Sequence, residues 1–198
     1  IALIKFKAKN NIIIWASSFS PVIGGLQSAT YQIGIYLMNK GWNVRIITNR
    51  YPSSLKHYDI VGGMEVTRYT FLNGPFHYLF SGRIDLFLAW FFYKPVTLIK
   101  LIIKFIRFRP IAVNLHFPDH QLVECYLLKH LFDFKLIISL HGHELESFTN
   151  LQWFSCKRFL YQKLFRSASY ITGPSKHMIN KAKKSFNNKD TKKFIFLY

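Results

Sequence analysis

The chain has 198 residues, half of them hydrophobic, so it is able to bury one sizeable core and is not a disordered segment. Its 27 Lys and Arg against 9 Asp and Glu leave a formal charge of +18, a field that draws nucleic acid, an anionic bilayer or a nucleotide sugar alike. The basic residues are spread through amphipathic stretches without a zinc-finger, single-strand platform or recognition-helix pattern, so nucleic acid is not an expected partner.

Residues 11–16 (NIIIWA) are an apolar, β-branched run ended by Ser17, Ser18, Phe19, Ser20 and Pro21, which predicts a buried parallel strand feeding a loop. After Gly24 and Gly25, residues 26–40 set Ala29, Ile33, Leu37 and Met38 at helical spacing, and Gly41 closes that helix. Residues 43–48 (NVRIIT) and 64–70 (MEVTRYT) read as the second and third strands, with Gly62 and Gly63 turning the chain between them. Residues 83–108 read as two aromatic-rich helices broken at Pro95. In the second, Lys100, Lys104 and Arg107 share one face, which suits either solvent or an anionic membrane surface. The longest uncharged apolar run there, residues 86–93, is too short to span a bilayer, so no transmembrane helix is expected.

Strands at residues 111–115, 135–140, 170–172 and 194–197 then alternate with helices at 119–131, 152–167 and 175–186. This alternation predicts an α/β fold, a Rossmann-like doubly wound and mainly parallel sheet with helices on both faces, in one domain over residues 1–198. Cys125 and Cys156 fall in helical segments without C-x-x-C spacing, which fits reduced thiols and a cytoplasmic setting. Lys5, Lys7 and Lys9 precede the first strand without the apolar run of a signal peptide, and the basic stretch 181–193 reads as a solvated helix end and loop.

Three places carry candidate chemistry. Gly24 and Gly25, between the first strand and its helix, allow a positive φ and let a diphosphate approach main-chain N–H groups at the helix N-terminus; a plain tight turn would look the same. His141, Gly142, His143 and Glu144 follow the strand LIISL, and His116 ends the strand IAVNL, so these polar groups meet at the carboxyl-end rim where wound sheets bind ligands. His141-x-His143 with His116 or Glu144 also has metal-ligand spacing, but Gly142 implies a turn and no Asp or Cys cluster completes a set, so no metal is assigned. Ser175, at a strand-to-helix junction, reads as an N-cap. His57, His77, His120, His130 and His177 lack such context, and neither a G-x-S-x-G elbow nor a Walker A loop is present.

In this order and spacing, PVIGGLQSATYQIGIYLMNKGWNVRIIT, IAVNLHFPDH, KLIISLHGHELE and SYITGPSKHM resemble the N-terminal domain of the retaining GT-B glycosyltransferases of family 4 over nearly the whole chain. The resemblance implies hexosyl transfer from a nucleotide-diphosphate-sugar donor, a co-substrate with no further cofactor, to a lipid-linked or surface-polysaccharide acceptor. It implies that Gly24 and Gly25 face the donor diphosphate and that His141 lies against the transferred sugar. His116 would then sit in the acceptor cleft, with Glu144 a less certain match. The family's C-terminal donor-binding domain has no counterpart in these residues, so the chain alone is expected to be inactive. The basic helix adds an expectation of peripheral attachment to the inner face of the cytoplasmic membrane. The competing expectation is a non-catalytic, basic membrane- or partner-binding module of the same fold.

Overall fold

The computed structural model describes residues 4–5, 10–72, 75–142, 156–186 and 193–196. In chain order the first half runs β1 (Ile4–Lys5), β2 (Asn11–Ala16), α1 (Gly25–Asn39), β3 (Asn43–Asn49), β4 (Tyr58–Val61), β5 (Met64–Tyr69), α2 (Pro75–Phe80) and α3 (Ile84–Phe108). The second half runs β6 (Ala112–His116), α4 (Leu122–Leu131), β7 (Phe132–Asp133), β8 (Lys135–Ser139), α5 (Cys156–Ser167), β9 (Tyr170–Gly173), α6 (Lys176–Phe186) and β10 (Phe194–Phe196).

All six residues of β2 are buried, because a parallel strand covered on both faces has no solvent side. It sits inside an eight-stranded sheet of order β10-β9-β8-β6-β2-β3-β5-β4, parallel throughout except at the edge, where β4 runs antiparallel to β5. Without the outermost strands this is the 3-2-1-4-5-6 order of doubly wound nucleotide-binding sheets. The chain direction across the sheet reverses between β2 and β6, so their carboxyl ends flank the point where such sheets open a ligand crevice. On one face α1 packs Tyr31, Ile33, Ile35 and Leu37 against Ile12, Ile14, Ile46 and Val66. On the other, α3, α4 and α5 enclose Ile13, Trp15, Leu115 and Ile138 with Leu101, Phe105, Leu128 and Phe165.

Several local expectations hold for their stated reasons. Gly41 takes φ 80° past the end of α1, where its N–H bonds Met38 O and the Trp42 N–H bonds Leu37 O, the paired closure that satisfies a helix's last carbonyls. Ser175 Oγ accepts the Met178 N–H at 3.1 Å, so it caps α6.

Others are corrected. Strand β4 escaped notice because YDIV alternates exposed and half-buried positions and carries no apolar run; Gly62 and Gly63, at φ 57° and 80°, make the hairpin turn that joins it to β5. The two helices expected around Pro95 are one 25-residue helix, α3, preceded by the short α2. An interior proline costs about 3 kcal/mol. Burying Leu101, Phe105 and Phe108 recovers about 1.5–3 kcal/mol each, so packing wins. By length and composition α3 is therefore able to cross a bilayer, contrary to the sequence expectation: Lys94 and Pro95 interrupt the apolar run without ending the helix. Here its Leu101–Phe105–Phe108 stripe seals the sheet core as the crossover between β5 and β6.

Candidate functional site

Strand register assembles the rim. Arg68, Thr48, Ala16, His116, Ser139 and Thr172 are direct ladder partners across β5, β3, β2, β6, β8 and β9, so all six share one face at the carboxyl ends. All are buried, and Ala16, the one apolar member, lies at the switch point, where its small side chain leaves the most room. On the second-half strands the row is bonded together: Thr172 Oγ1 donates to Ser139 Oγ at 3.1 Å, and Ser139 Oγ donates to Asn114 Oδ1 at 2.8 Å. Sequence reading singled out His116 alone from this row. The signal for Ser139 and Thr172 was present as a polar residue near the end of each apolar strand, as was that for Asn114, which stands two positions before His116 on the same face.

His116 Nδ1 lies 3.0 Å from His141 Nε2, and the rings are 5.3 Å apart between centroids. The pair forms because β6 ends at His116 beside Ser139, and the chain that leaves β8 reaches His141 two residues later and turns at Gly142 with φ 114°, a backbone angle glycine tolerates. His116 is fully enclosed; burial, then the charge of His141, pulls its pKa down from 6.5 to about 3. His141 is half-buried and its pKa is also lowered by burial. Both imidazoles are therefore neutral at pH 7. His116 Nε2 has no hydrogen-bond partner among the described residues, and a bare acceptor there is better tolerated than an orphaned N–H. Hence His116 Nδ1–H donates to His141 Nε2, and His141 carries its own hydrogen on Nδ1.

Gly24 and Gly25 stand at the start of α1, but not for the expected backbone reason. Gly24 has φ 173°, extended backbone open to any residue, and Gly25 is the first helical residue, with nothing within 4 Å of an added Cβ. Their effect is an N-terminus without a side-chain cap, whose first-turn N–H groups have no intrahelical acceptor and favour an anion. The loop that delivers α1 is anchored by Arg68, unrecognised in the sequence: buried to 1 % exposure, it donates to Ser20 O at 2.7 Å and to Asp59 Oδ2 at 3.2 Å. A cavity of about 350 Å³ beside that loop is lined by Pro21, Gln27, Ser28 and Tyr31, and neither imidazole lines it. Glu144 and His143 lie outside the described residues. Among those described, no group of three His, Cys, Asp or Glu side chains converges as a metal site. Cys125 is a free, buried thiol whose pKa burial pushes up.

The chain resembles solved glycosyltransferases in fold. It superposes on sucrose-phosphate synthase from Thermosynechococcus elongatus with TM-score 0.62 at 12 % identity, covering 94 % of this chain and 47 % of that one. For the catalytic domain of starch synthase IV from Arabidopsis thaliana, bound to ADP and acarbose, the TM-score is 0.59 at 15 % identity, with 94 % and 50 % covered. A glycosyltransferase from Rickettsia africae gives 0.55 at 16 % identity, with 95 % and 43 % covered. The chain thus spans about half the length of these structures. No curated protein matches it in sequence. Residues 23–192, most of the chain and every rim residue but Ala16, match the profile of Glycosyltransferase Family 4, and it is to this family that the chain belongs.

Proposed function

We propose that this chain forms the acceptor-side lobe of a retaining glycosyltransferase that moves a hexosyl unit from a nucleotide-diphosphate sugar to a lipid-linked or surface-glycan acceptor. The observation that carries it is the bonded, neutral His116–His141 pair at the switch point of the sheet. In the reaction the leaving diphosphate gains negative charge while the sugar gains positive charge. Neutral His141, positioned by His116, lies against the transferred sugar without adding a cation beside the developing oxocarbenium. The open α1 N-terminus at Gly24 and Gly25 receives the diphosphate, and Glu144 belongs to the same acceptor-side group. A second, donor-binding lobe closes the crevice and excludes water, so that an acceptor hydroxyl attacks in its place. The reaction is assigned to an anionic membrane face.

The test joins this chain to a donor-binding lobe and measures sugar transfer and nucleotide release. His141→Ala is expected to lower transfer by about 10²-fold, the scale of one lost polar contact made in the transition state. Transfer at the wild-type rate would remove His141 from the reaction. A second reading, a non-catalytic membrane-binding module, is favoured by the exposed apolar face of α3. It predicts vesicle binding without transfer from any nucleotide sugar.

A further inference from the structure

A crossover helix in a soluble α/β domain shows one apolar stripe, to its sheet, and a polar face to water. Helix α3 is apolar on both. Opposite its buried stripe, Ile84, Leu88, Phe92, Val96, Ile99 and Ile103 follow one another at spacings of three and four residues, and each is 43–75 % exposed. This row is about 30 Å long at 1.5 Å per residue, far beyond scattered surface hydrophobes. Its first half has no sheet beneath it. A 25-residue helix is about 37 Å long, whereas the six-residue β5 it leaves spans about 20 Å. Lys94, which pairs with Glu124 in the first turn of α4, already marks the level of the strands' carboxyl ends.

Alongside the row runs a cleft of about 340 Å³ between α3 and β5, lined by His57, Thr67, Tyr69, Lys100, Ile103 and Lys104. Ile103 belongs to both features. Lys104 Nζ donates to Thr67 Oγ1 at 2.5 Å and is half-buried; burial, then the charge of Arg45, lowers its pKa to about 8 against a smaller opposing effect of Glu65. Glu65 is already bound to Arg45 at 2.8 Å, and Lys100 has no ion-pair partner among the described residues. Arg50 lies behind the lining, with Nη1 3.2 Å from Nε2 of His57. Two ammonium groups thus line a pocket without a carboxylate of their own, beside a continuous apolar row. A second copy of a chain with charge +18 is repelled from this surface, and a nucleic acid would leave the isoleucines and Phe92 without a partner.

We propose that the outward row of α3 lies in the interface of an anionic phospholipid membrane, and that Lys100 and Lys104 in the α3–β5 cleft seat a lipid headgroup phosphate. This deepens the membrane-face part of the function proposed above and is independent of its sugar chemistry. Phosphate chelated between two ammonium groups fixes the depth of the helix, while Leu88 and Phe92 enter the acyl boundary.

The test is co-sedimentation of the chain with vesicles of phosphatidylcholine alone or with about one-third phosphatidylglycerol, without any sugar donor. Binding is expected only with the anionic lipid. Lys100→Gln/Lys104→Gln is expected to weaken it about tenfold or more, against about threefold or less for the exposed pair Lys181→Gln/Lys184→Gln, which removes the same charge elsewhere. Lys104→Arg keeps the charge and restores binding, which separates phosphate seating from loss of fold. Leu88→Ser/Phe92→Ser is expected to abolish the binding that survives at high salt. Equal losses from the two lysine pairs overturn the cleft assignment, and unchanged high-salt binding of the serine variant overturns the membrane row. Complete displacement from vesicles by an oligonucleotide of equal phosphate concentration overturns both. Vesicle binding of His141→Ala stays at the wild-type level, so failure of the sugar-transfer test and failure here are separately visible.

Discussion

Lys94 Nζ lies 2.5 Å from Glu124 Oε1, joining the middle of α3 to the first turn of α4 across 30 residues, with both side chains at least nine-tenths buried. The pair pins α3 at the level where it leaves the sheet. Burial raises the Glu124 pKa and Lys94 opposes that rise, so removing the lysine strands a carboxyl group in the core. Lys94→Met is expected to destabilise the fold by about 3–5 kcal/mol, while Lys94→Met/Glu124→Leu recovers most of it, because two desolvated charges gain little over well-packed apolar groups. Urea unfolding midpoints decide this; a double variant as unstable as the single one removes the pairing argument.

Acid sensitivity follows from the enclosed imidazole. The His116 pKa falls from 6.5 to about 3 on folding, so between these values the unfolded chain holds the extra proton. Stability is accordingly complete above about pH 6.5 and is lost as pH falls toward 3, by an amount on the order of 5 kcal/mol at about 1.4 kcal/mol for each pH unit between the two values in a fully enclosed group. His116→Gln is expected to flatten that part of the pH profile of urea unfolding. An unchanged slope would show that His116 is not enclosed as described.

Arg68 holds the loop before α1 through Ser20 O. Arg68→Met keeps the bulk but leaves the Ser20 and Lys56 carbonyls without their donor, while Asp59, 42 % exposed, turns to water. The expected loss is about 2 kcal/mol, or about 4–8 °C in Tm for a chain of this size. Limited proteolysis should cut faster within residues 17–24 of the variant. Equal cleavage rates would mean that the loop is held elsewhere.

Gly34 brings α1 against β5: an added Cβ would collide with Met64 Sδ, and Met64 is fully enclosed. Alanine gains about 1 kcal/mol of helix propensity and loses about 1–3 kcal/mol to overpacking. Gly34→Ala is therefore expected to lower Tm slightly, and a clear rise would show that Met64 moves aside freely.

The wound sheet was legible because its signals are local. NIIIWA and LIISL are apolar runs bounded by turn residues, Gly41 and Ser175 close and open helices through their own backbone geometry, and each strand end names its next residue, His116 or His141. Strand β4 was missed for the same reason in reverse: YDIV, half out of the core at a sheet edge, has no apolar run to announce it. Gly24 and Gly25 were found by position, but the φ assigned to them was wrong, since the extended angle at Gly24 is open to any residue.

What the sequence by itself determined is the order of strands and helices and two of the rim's imidazoles, because hydrophobic periodicity and chain punctuation are properties of neighbouring residues. Only the tertiary structure decided that Arg68, Thr48, Ala16, His116, Ser139 and Thr172 form one row, that His116 and His141 bond, and that α3 runs unbroken through Pro95 with an apolar face turned outward. Register and burial are set by partners tens of residues away, so the same asparagine, arginine or proline means little until the ladder and the core have fixed what surrounds it.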